Sequence, residues 1–287
     1  VDEADRRPLV HDGERFVNDL SIENSEHGQQ ALQELVDKGF VDKTAALDEA
    51  RQALGGEPVL SKLALITTFK NDVYKHRLRL DCRVSGSNDA TIKVERVLLP
   101  GACNVIHDVL AMWVKAKEGE ELRLLVLDFQ DAFYQLPLVP GERRYFCAKY
   151  KSEYYLWARV AQGSVNGPSV FGRLSALTAR MTQGLIDTTL MRLQVYTDDP
   201  CVVLRGTRKR CDDMVVVIVL FWLCLGWPLS YHKGQYGSKV GWIGYTLEIT
   251  GERVVARIKE EFMNEFASLT AKILAQNTVT FGDLRSY

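Results

Sequence analysis

Residues 122–138 read LRLLVLDFQDAFYQLPL, and this stretch decides the fold. Leu124, Leu125, Val126 and Leu127 form an unbroken apolar run, which indicates a central strand covered on both faces. Asp128 closes it. A carboxylate at the end of a buried strand is costly unless it is paired or holds a cation, so this acid demands a partner.

A second acidic feature lies 70 positions downstream. In LMRLQVYTDDPCVVL (190–204), apolar runs flank Thr197-Asp198-Asp199-Pro200, which predicts a hairpin with adjacent acids at its tip and Pro200 at the first position of the return strand. An Asp-Asp pair in a turn is ordinarily solvated turn chemistry. Apolar strands on either side change that reading: three carboxylates gathered without a cation repel, and one would take up a proton. Hard divalent ions such as magnesium prefer such oxygen ligands and share them with phosphates, and a pair of ions can activate a hydroxyl and hold a leaving pyrophosphate.

Outward from these acids the chain alternates short β-like runs with helices, a βαβ-like beginning. Leu63–Phe69 and His76–Val84 read as strands, Ser85–Asp89 as a turn and Gly101–Ala116 as a helix. YFCAKYKSEYYLWARV (145–160) reads as a hairpin divided at Lys151-Ser152-Glu153. AQGSVNGPSVFGRLSALTARM is a glycine-containing turn running into a helix, with Pro168 near its first position. Asp212 and Asp213 lead into an apolar helix ending near Cys224, read as core; Val240–Ile249 reads as one β segment and 257–275 as a helix. Residues 1–60 read as a helical extension, in which Asp42 caps a second helix that stops at Gly55-Gly56.

The composition, with 287 residues and 46% hydrophobic side chains, suits a globular core and excludes disordered and collagen-like classes. The longest apolar run, Met214 to Trp227, is too short for a bilayer, so no membrane partner is expected. VDEADRRPLV shows neither a signal segment nor an initiator Met, and FGDLRSY ends without a stop signal, as in a piece of a longer chain. The six cysteines form no CxxC pair, and reduced, mostly buried thiols are expected, Cys82, Cys147 and Cys224 among them. An intracellular site, cytoplasm or nucleus, follows as the expectation. Net charge is −1 overall, but residues 1–50 carry −8 and the remainder +7, a weak pointer to a polyanion partner.

Taken together, VLDFQDAFYQLPL (126–138), QGSVNGP (162–168), YTDD (196–199), SYHKG (230–234) and WIGY (242–245) resemble, in order, the motifs of a reverse transcriptase of the retroelement type. Upstream, KHRLRLDCR (75–83) and ERVLLP (95–100) resemble its fingers region, and the likeness runs from about residue 62 to 287. The resemblance implies an α+β right-hand fold with an antiparallel palm sheet flanked by helices, plus the helical N-terminal extension (1–60). Fingers would comprise 61–103 and 136–166, palm 104–135 and 167–252, and the start of a thumb 253–287.

It further implies residue roles. Asp128, Asp198 and Asp199 would be the catalytic carboxylates, holding two Mg2+ ions (Mn2+ as substitute) together with the Phe129 carbonyl. Lys75, Arg77, Asp131, Ala132, Phe133, Gln162, Gly163 and Lys233 would bind the incoming deoxynucleoside triphosphate. Arg77 suits phosphate oxygens through paired donors, and Gly163 lets the backbone approach the nucleotide. Phe133 would be an aromatic gate against the sugar 2′-hydroxyl, and Lys233 a proton donor to pyrophosphate, against the competing readings of a core ring and a surface lysine. Tyr196, Trp242, Gly244 and Tyr245 would support an RNA/DNA template–primer duplex. His107 and His232 show no ligand spacing.

Three departures from the family pattern, Ala161, Gly167 and Pro200, touch loop geometry and leave every metal ligand in place. Two rival functions stand beside polymerisation of DNA on RNA. One is an RNA-dependent RNA polymerase, which Phe133 opposes; the other is a decayed module that only binds nucleic acid. The sequence leaves the oligomeric state open.

Overall fold

The computed structural model describes residues 8–12, 17–23, 25–70, 73–92, 97–251 and 253–275. They form two compact units: Val1–Val97 with Asp131–Arg173, and Leu98–Gln130 with Leu174–Tyr287. Every strand pairing between named strands is antiparallel, so the alternation of strands and helices builds no parallel βαβ unit. The mixed helix and antiparallel-sheet architecture matches the expected α+β class.

In the first unit, α1 (Leu20–Glu23), α2 (Glu26–Asp37), β1 (Val41–Thr44) and α3 (Leu47–Leu54) precede the long hairpin of β2 (Lys62–Lys70) and β3 (Val73–Asp81). The N-terminal helices are there, with one correction. Asp42 does not cap a helix: it lies in β1, opposite Leu156, and its carboxylate pairs with Arg143. Strand pairing with β6 (Glu153–Trp157) won over the local capping signal, and α3 starts after Ala46 instead.

β1 joins β6 (Glu153–Trp157) and β5 (Cys147–Tyr150) in a three-stranded sheet. Leu63, Leu78, Leu80, Tyr134, Ala148 and Trp157 share its core with Leu32 and Leu35 of α2. The pleat of β3 turns Leu78 and Leu80 inward, and Lys75, Arg77 and Arg79 to the other face.

The second unit carries the predicted central strand, β4 (Glu121–Val126), in the order β7-β8-β4-β9 with β7 (Met191–Tyr196), β8 (Asp199–Gly206) and β9 (Gln235–Gly237). Leu122, Leu124 and Val126 pack with Cys201 and Val203 of β8 against Ala102, Val105, Val109 and Met112 of α4 (Ala102–Trp113). Helix α4 is shorter than its apolar pattern suggested. The opposite face of the sheet receives α6 (Arg208–Cys224), which follows α5 (Gly167–Gln183) in the chain. Helix α6 begins before Asp212, because the Thr207 hydroxyl accepts the Arg210 N–H at 3.3 Å. Only Cys211, Met214, Ile218 and Trp222 of α6 are buried. Its other stripe, Val216, Val217, Leu220 and Leu223, is exposed, so the expectation of a wholly core helix is half right: one sheet covers one face.

The segment 240–249 is two strands, not one. β10 (Lys239–Trp242) and β11 (Tyr245–Thr250) pair around a two-residue turn, Ile243-Gly244, and β12 (Arg253–Ile258) completes the sheet before α7 (Glu260–Leu274). Both turn residues have positive φ, 38° and 86°, the signature of a tight primed hairpin turn. Cys82, Cys147, Cys201 and Cys211 are buried as expected, whereas Cys224 lies on the exposed side of α6 and Cys103 is exposed too. No helix among the described residues is long and apolar enough to cross a membrane. Glu95, Arg96 and the FGDLRSY terminus lie outside the described residues.

Candidate functional site

The end of β4 and the β7–β8 turn are laced together by backbone. The Phe129 N–H donates to the Asp198 carbonyl at 3.4 Å, and Leu127 N–H to the Pro200 carbonyl at 3.4 Å. On the other side Ser230 N–H donates to the Asp128 carbonyl at 2.9 Å, and Gln130 N–H to Pro228 at 2.9 Å. The Phe129 side chain is buried, with its ring 4.6 Å from Trp227 and 5.2 Å from Trp222, which anchors the strand end against α6 and the loop after it. Local sequence makes this arrangement: an apolar run that ends in a polar residue stops where the sheet's cover stops.

Thr197 and Asp198 form the two-residue turn between Tyr196 and Asp199, and Thr197 has φ 55°. A β-branched residue in that region is strained, by roughly 1–2 kcal/mol, so the turn is held by its surroundings rather than by its own preference. Asp199 is the first residue of β8 and Pro200 the second, one place later than predicted.

Burial, and then the charges of Asp198 and Asp128, push the Asp199 carboxyl up from 3.8 to about 6, with Lys233 and Lys259 pulling the other way. The three acids therefore share one electrostatic neighbourhood. They do not form a finished cage: among the described residues no group of three or more His, Cys, Asp or Glu side chains is set to hold a metal. Asp128 Oδ2 accepts from the Lys233 ammonium at 2.6 Å. The sequence offers Lys233 as a proton donor to pyrophosphate or as a surface lysine; in the structure its ammonium pairs with Asp128.

Trp242 is buried to 1% exposure and its indole N–H donates to the Asp199 carbonyl at 2.9 Å. It therefore acts on the acids through the backbone, while Gly244 and half-buried Tyr245 stand at the hairpin turn and Tyr196 is exposed. The Gln235 side chain brackets Gly241, accepting its N–H at 2.7 Å and donating to its carbonyl at 3.1 Å.

The other predicted residues belong to the first unit. Lys75 and Arg77 are exposed on β3, and the Leu80 N–H donates to the Gln162 carbonyl at 2.9 Å. Gly163 has φ 116°, and a Cβ there would overlap the Leu80 carbonyl oxygen, so only glycine lets this loop lie against the strand. Sequence reading missed Asn88, which clamps the loop. Its amide donates to the Gly163 carbonyl at 3.1 Å and its oxygen accepts the Val165 N–H at 3.0 Å. An asparagine in a serine- and glycine-rich turn was its only local signal. Arg79 was missed as well: its Cγ lies 3.4 Å from the position of that Cβ, nearer the loop than the pattern alone indicated.

Asp131 (φ 50°) starts a short 3-10 turn, Ala132–Gln135, and pairs with Lys38 at 3.0 Å. Ala132 is buried. Phe133 is half-buried and edge-on to Phe171 at 5.7 Å, and a Cβ on Gly167 would meet Val160 at 3.4 Å and the Phe133 ring at 3.7 Å. A cavity of about 620 Å³, lined by Ser87, Thr91, Val160, Ser164, Asn166 and Gly167 among others, opens beside the Gln162–Gly163 loop. His107 and His232 are exposed.

A segment of the Gag-Pol polyprotein of baboon endogenous virus (strain M7) is 30% identical over 129 residues, covering 42% of this chain and 7% of that polyprotein. The foamy viral protease-reverse transcriptase, solved in complex with double-stranded DNA, matches with a TM-score of 0.63 at 16% identity over 98% of this chain and 41% of that one. The same enzyme solved with an RNA/DNA hybrid matches with a TM-score of 0.59 at 16% identity, over 94% and 30%. The chain thus spans less than half the length of these relatives, and the low structural identity speaks for the fold alone. The model of the family described as reverse transcriptase (RNA-dependent DNA polymerase) matches residues 70–247, more than half of the chain and the whole span from the β3 hairpin to the Trp242 hairpin. This chain therefore belongs to the reverse transcriptase family.

Proposed function

We propose that the chain is the polymerase segment of a retroelement polyprotein, adding deoxynucleotides to a primer 3′ end on an RNA or DNA template. One observation carries the reading: three carboxylates share one end of the central sheet, and Asp199 is held where its negative charge is disfavoured. Such a concentration of acid costs stability unless it serves a cation. The donor chemistry, carboxylate oxygens with the Phe129 carbonyl beside them, fits a hard divalent ion such as Mg2+, or Mn2+ in its place. Asp128, Asp198 and Asp199 would hold a pair of such ions, whose contribution is to activate the 3′-hydroxyl and to neutralise charge on the reacting phosphate.

The chain's own residues do the rest. Lys233, whose ammonium stands beside Asp128, can give a proton to the departing pyrophosphate. Lys75 and Arg77 offer cationic donors to the triphosphate. The Gln162–Gly163 loop, with Asp131 and Ala132, shapes the nucleotide's seat, and the Phe133 ring closes the space a 2′-hydroxyl would need. The Trp242–Tyr245 hairpin holds the primer end, tied to the acids by the Trp242–Asp199 hydrogen bond. The foamy viral relative's complexes with double-stranded DNA and RNA/DNA hybrid support a template–primer duplex as the partner. The fingers, palm and thumb boundaries given above are part of this proposal; compact-unit borders near residues 97, 130 and 173 support the divisions between fingers and palm. Six free cysteines suit a reducing intracellular compartment.

The test is extension of a DNA primer on an RNA template by the purified chain. Elongation with magnesium, none with chelator and none with Asp198→Asn supports the reading. Magnesium-independent product, or equal use of ribonucleotides, counts against it.

A further inference from the structure

Lys259 stands at the junction of β12 and α7, where its N–H donates to the Gly244 carbonyl at 3.0 Å. Its side chain folds back over β10. Cε and Nζ both lie 3.1 Å from where a Cβ on Gly241 would be, so the absence of a side chain at 241 makes room for the ammonium. The backbone beneath it is stiffened by the Gln235 bracket. Neighbouring cations are satisfied: Lys239 and Arg257 share Glu248, at 3.7 and 2.9 Å. Lys259 has no such carboxylate within ion-pair distance among the described residues, yet its charge is felt at Asp199. A half-buried cation with no ion-pair partner among the described residues, beside an acid cluster and over the hairpin proposed to hold the primer, is placed to receive an anion.

We infer that Lys259 is a binding group for a backbone phosphate near the primer 3′ end. The inference rests on the polymerase reading given above and extends it to a residue outside its motifs. The physics is direct. A primer led to three carboxylates brings phosphate charge up to carboxylate charge, and a cation between them lowers that repulsion. Each neutralised phosphate also releases counterions, which makes binding weaken with salt. The phosphodiester is favoured over the triphosphate of an incoming nucleotide because Lys259 sits on the β10–β11 side of the acids, packed on Gly241 and bonded through its own N–H to Gly244.

The experiment measures binding of a labelled DNA primer on an RNA template to the 287-residue chain by fluorescence anisotropy across a salt series. Lys259→Met keeps the aliphatic packing and the backbone bond to Gly244 but removes the charge. It should weaken binding about five- to tenfold whatever the primer sequence, and flatten the slope of log K against log salt by about 1. Lys259→Arg should bind like the parent. Gly241→Ala, whose Cβ meets the flexible end of Lys259, should shift binding toward the methionine variant. A primer with neutral methylphosphonates at its two 3′-terminal linkages should cost the parent what the methionine change costs, and cost the methionine variant little more. A parent-like salt slope in Lys259→Met overturns the inference. So does a methylphosphonate penalty equal in both proteins, or a loss confined to the KM for deoxynucleotides. If the charge-dependent loss is found in a chain that extends no primer, the phosphate site stands and the polymerase reading falls.

Discussion

Asp199→Asn should destroy primer extension and, in the same protein, raise its stability at neutral pH. The Asp199 carboxyl is pushed from 3.8 to about 6 by burial and by Asp198 and Asp128. A carboxyl raised in the native state keeps a proton there that the unfolded chain has already lost, so native stability falls as pH rises from about 4 to about 6 and stays low above it. The full displacement corresponds to about 3 kcal/mol. Asp199 is only partly buried, and solvent screening reduces the expected penalty to about 1–2 kcal/mol. An asparagine of the same shape removes the charge and the penalty. In chelator, urea or thermal denaturation of parent and variant between pH 4.5 and 8 should show the variant ahead by that amount above pH 6.5, roughly 2–6 °C in Tm for a chain of this size. The two curves should draw together only as the pH falls toward 4. A variant less stable than its parent at pH 7.5, or a difference that ignores pH, would refute the reasoning. Asp128→Asn is the contrast. It breaks the partly exposed ion pair with Lys233 and should change stability by no more than about 1 kcal/mol.

Three further changes probe the parts around the acids. Gly163→Ala has to displace the loop from the Leu80 carbonyl and breaks the Asn88 clamp, so a loss of about 2–4 kcal/mol is expected in denaturation, with a raised KM for deoxynucleotides. Phe133→Val should admit ribonucleotides in primer extension, while sugar selectivity equal to the parent's would leave Phe133 as a core ring alone. Trp242→Phe removes the indole N–H from the Asp199 carbonyl and leaves a small void, for about 1–2 kcal/mol of stability and a fall in kcat larger than any change in primer affinity.

The elements that sequence read well were those whose signal is local. The β4 run, the β5–β6 hairpin, the turn into α5 and the acid-tipped β7–β8 hairpin all declare themselves within a window of about 10 to 20 residues, where apolar periodicity and turn chemistry act. The misreadings share another cause. Asp42 carried a cap signal but was taken into a sheet by a strand more than a hundred positions away. Ile243-Gly244 was hidden because an isoleucine at positive φ gives no turn signal. Cys224 and the outer stripe of α6 looked like core, since hydropathy reports what can be buried and not which face finds a cover.

Sequence by itself determined which side chains the proposed chemistry has at hand: acids at 128, 198 and 199, a glycine at 163, an aromatic at 133, and the order in which their motifs follow one another. Residue type and short spacing are covalent facts, and the family's identity rests on them. Tertiary structure alone decided the state of those groups. That Lys233 neutralises Asp128 across 105 positions, that Asn88 holds Gly163 across 75, and that Asp199 resists ionisation are properties of neighbours brought together by folding. A charge takes its energy from the dielectric and the ions around it, and no local reading of the chain contains either.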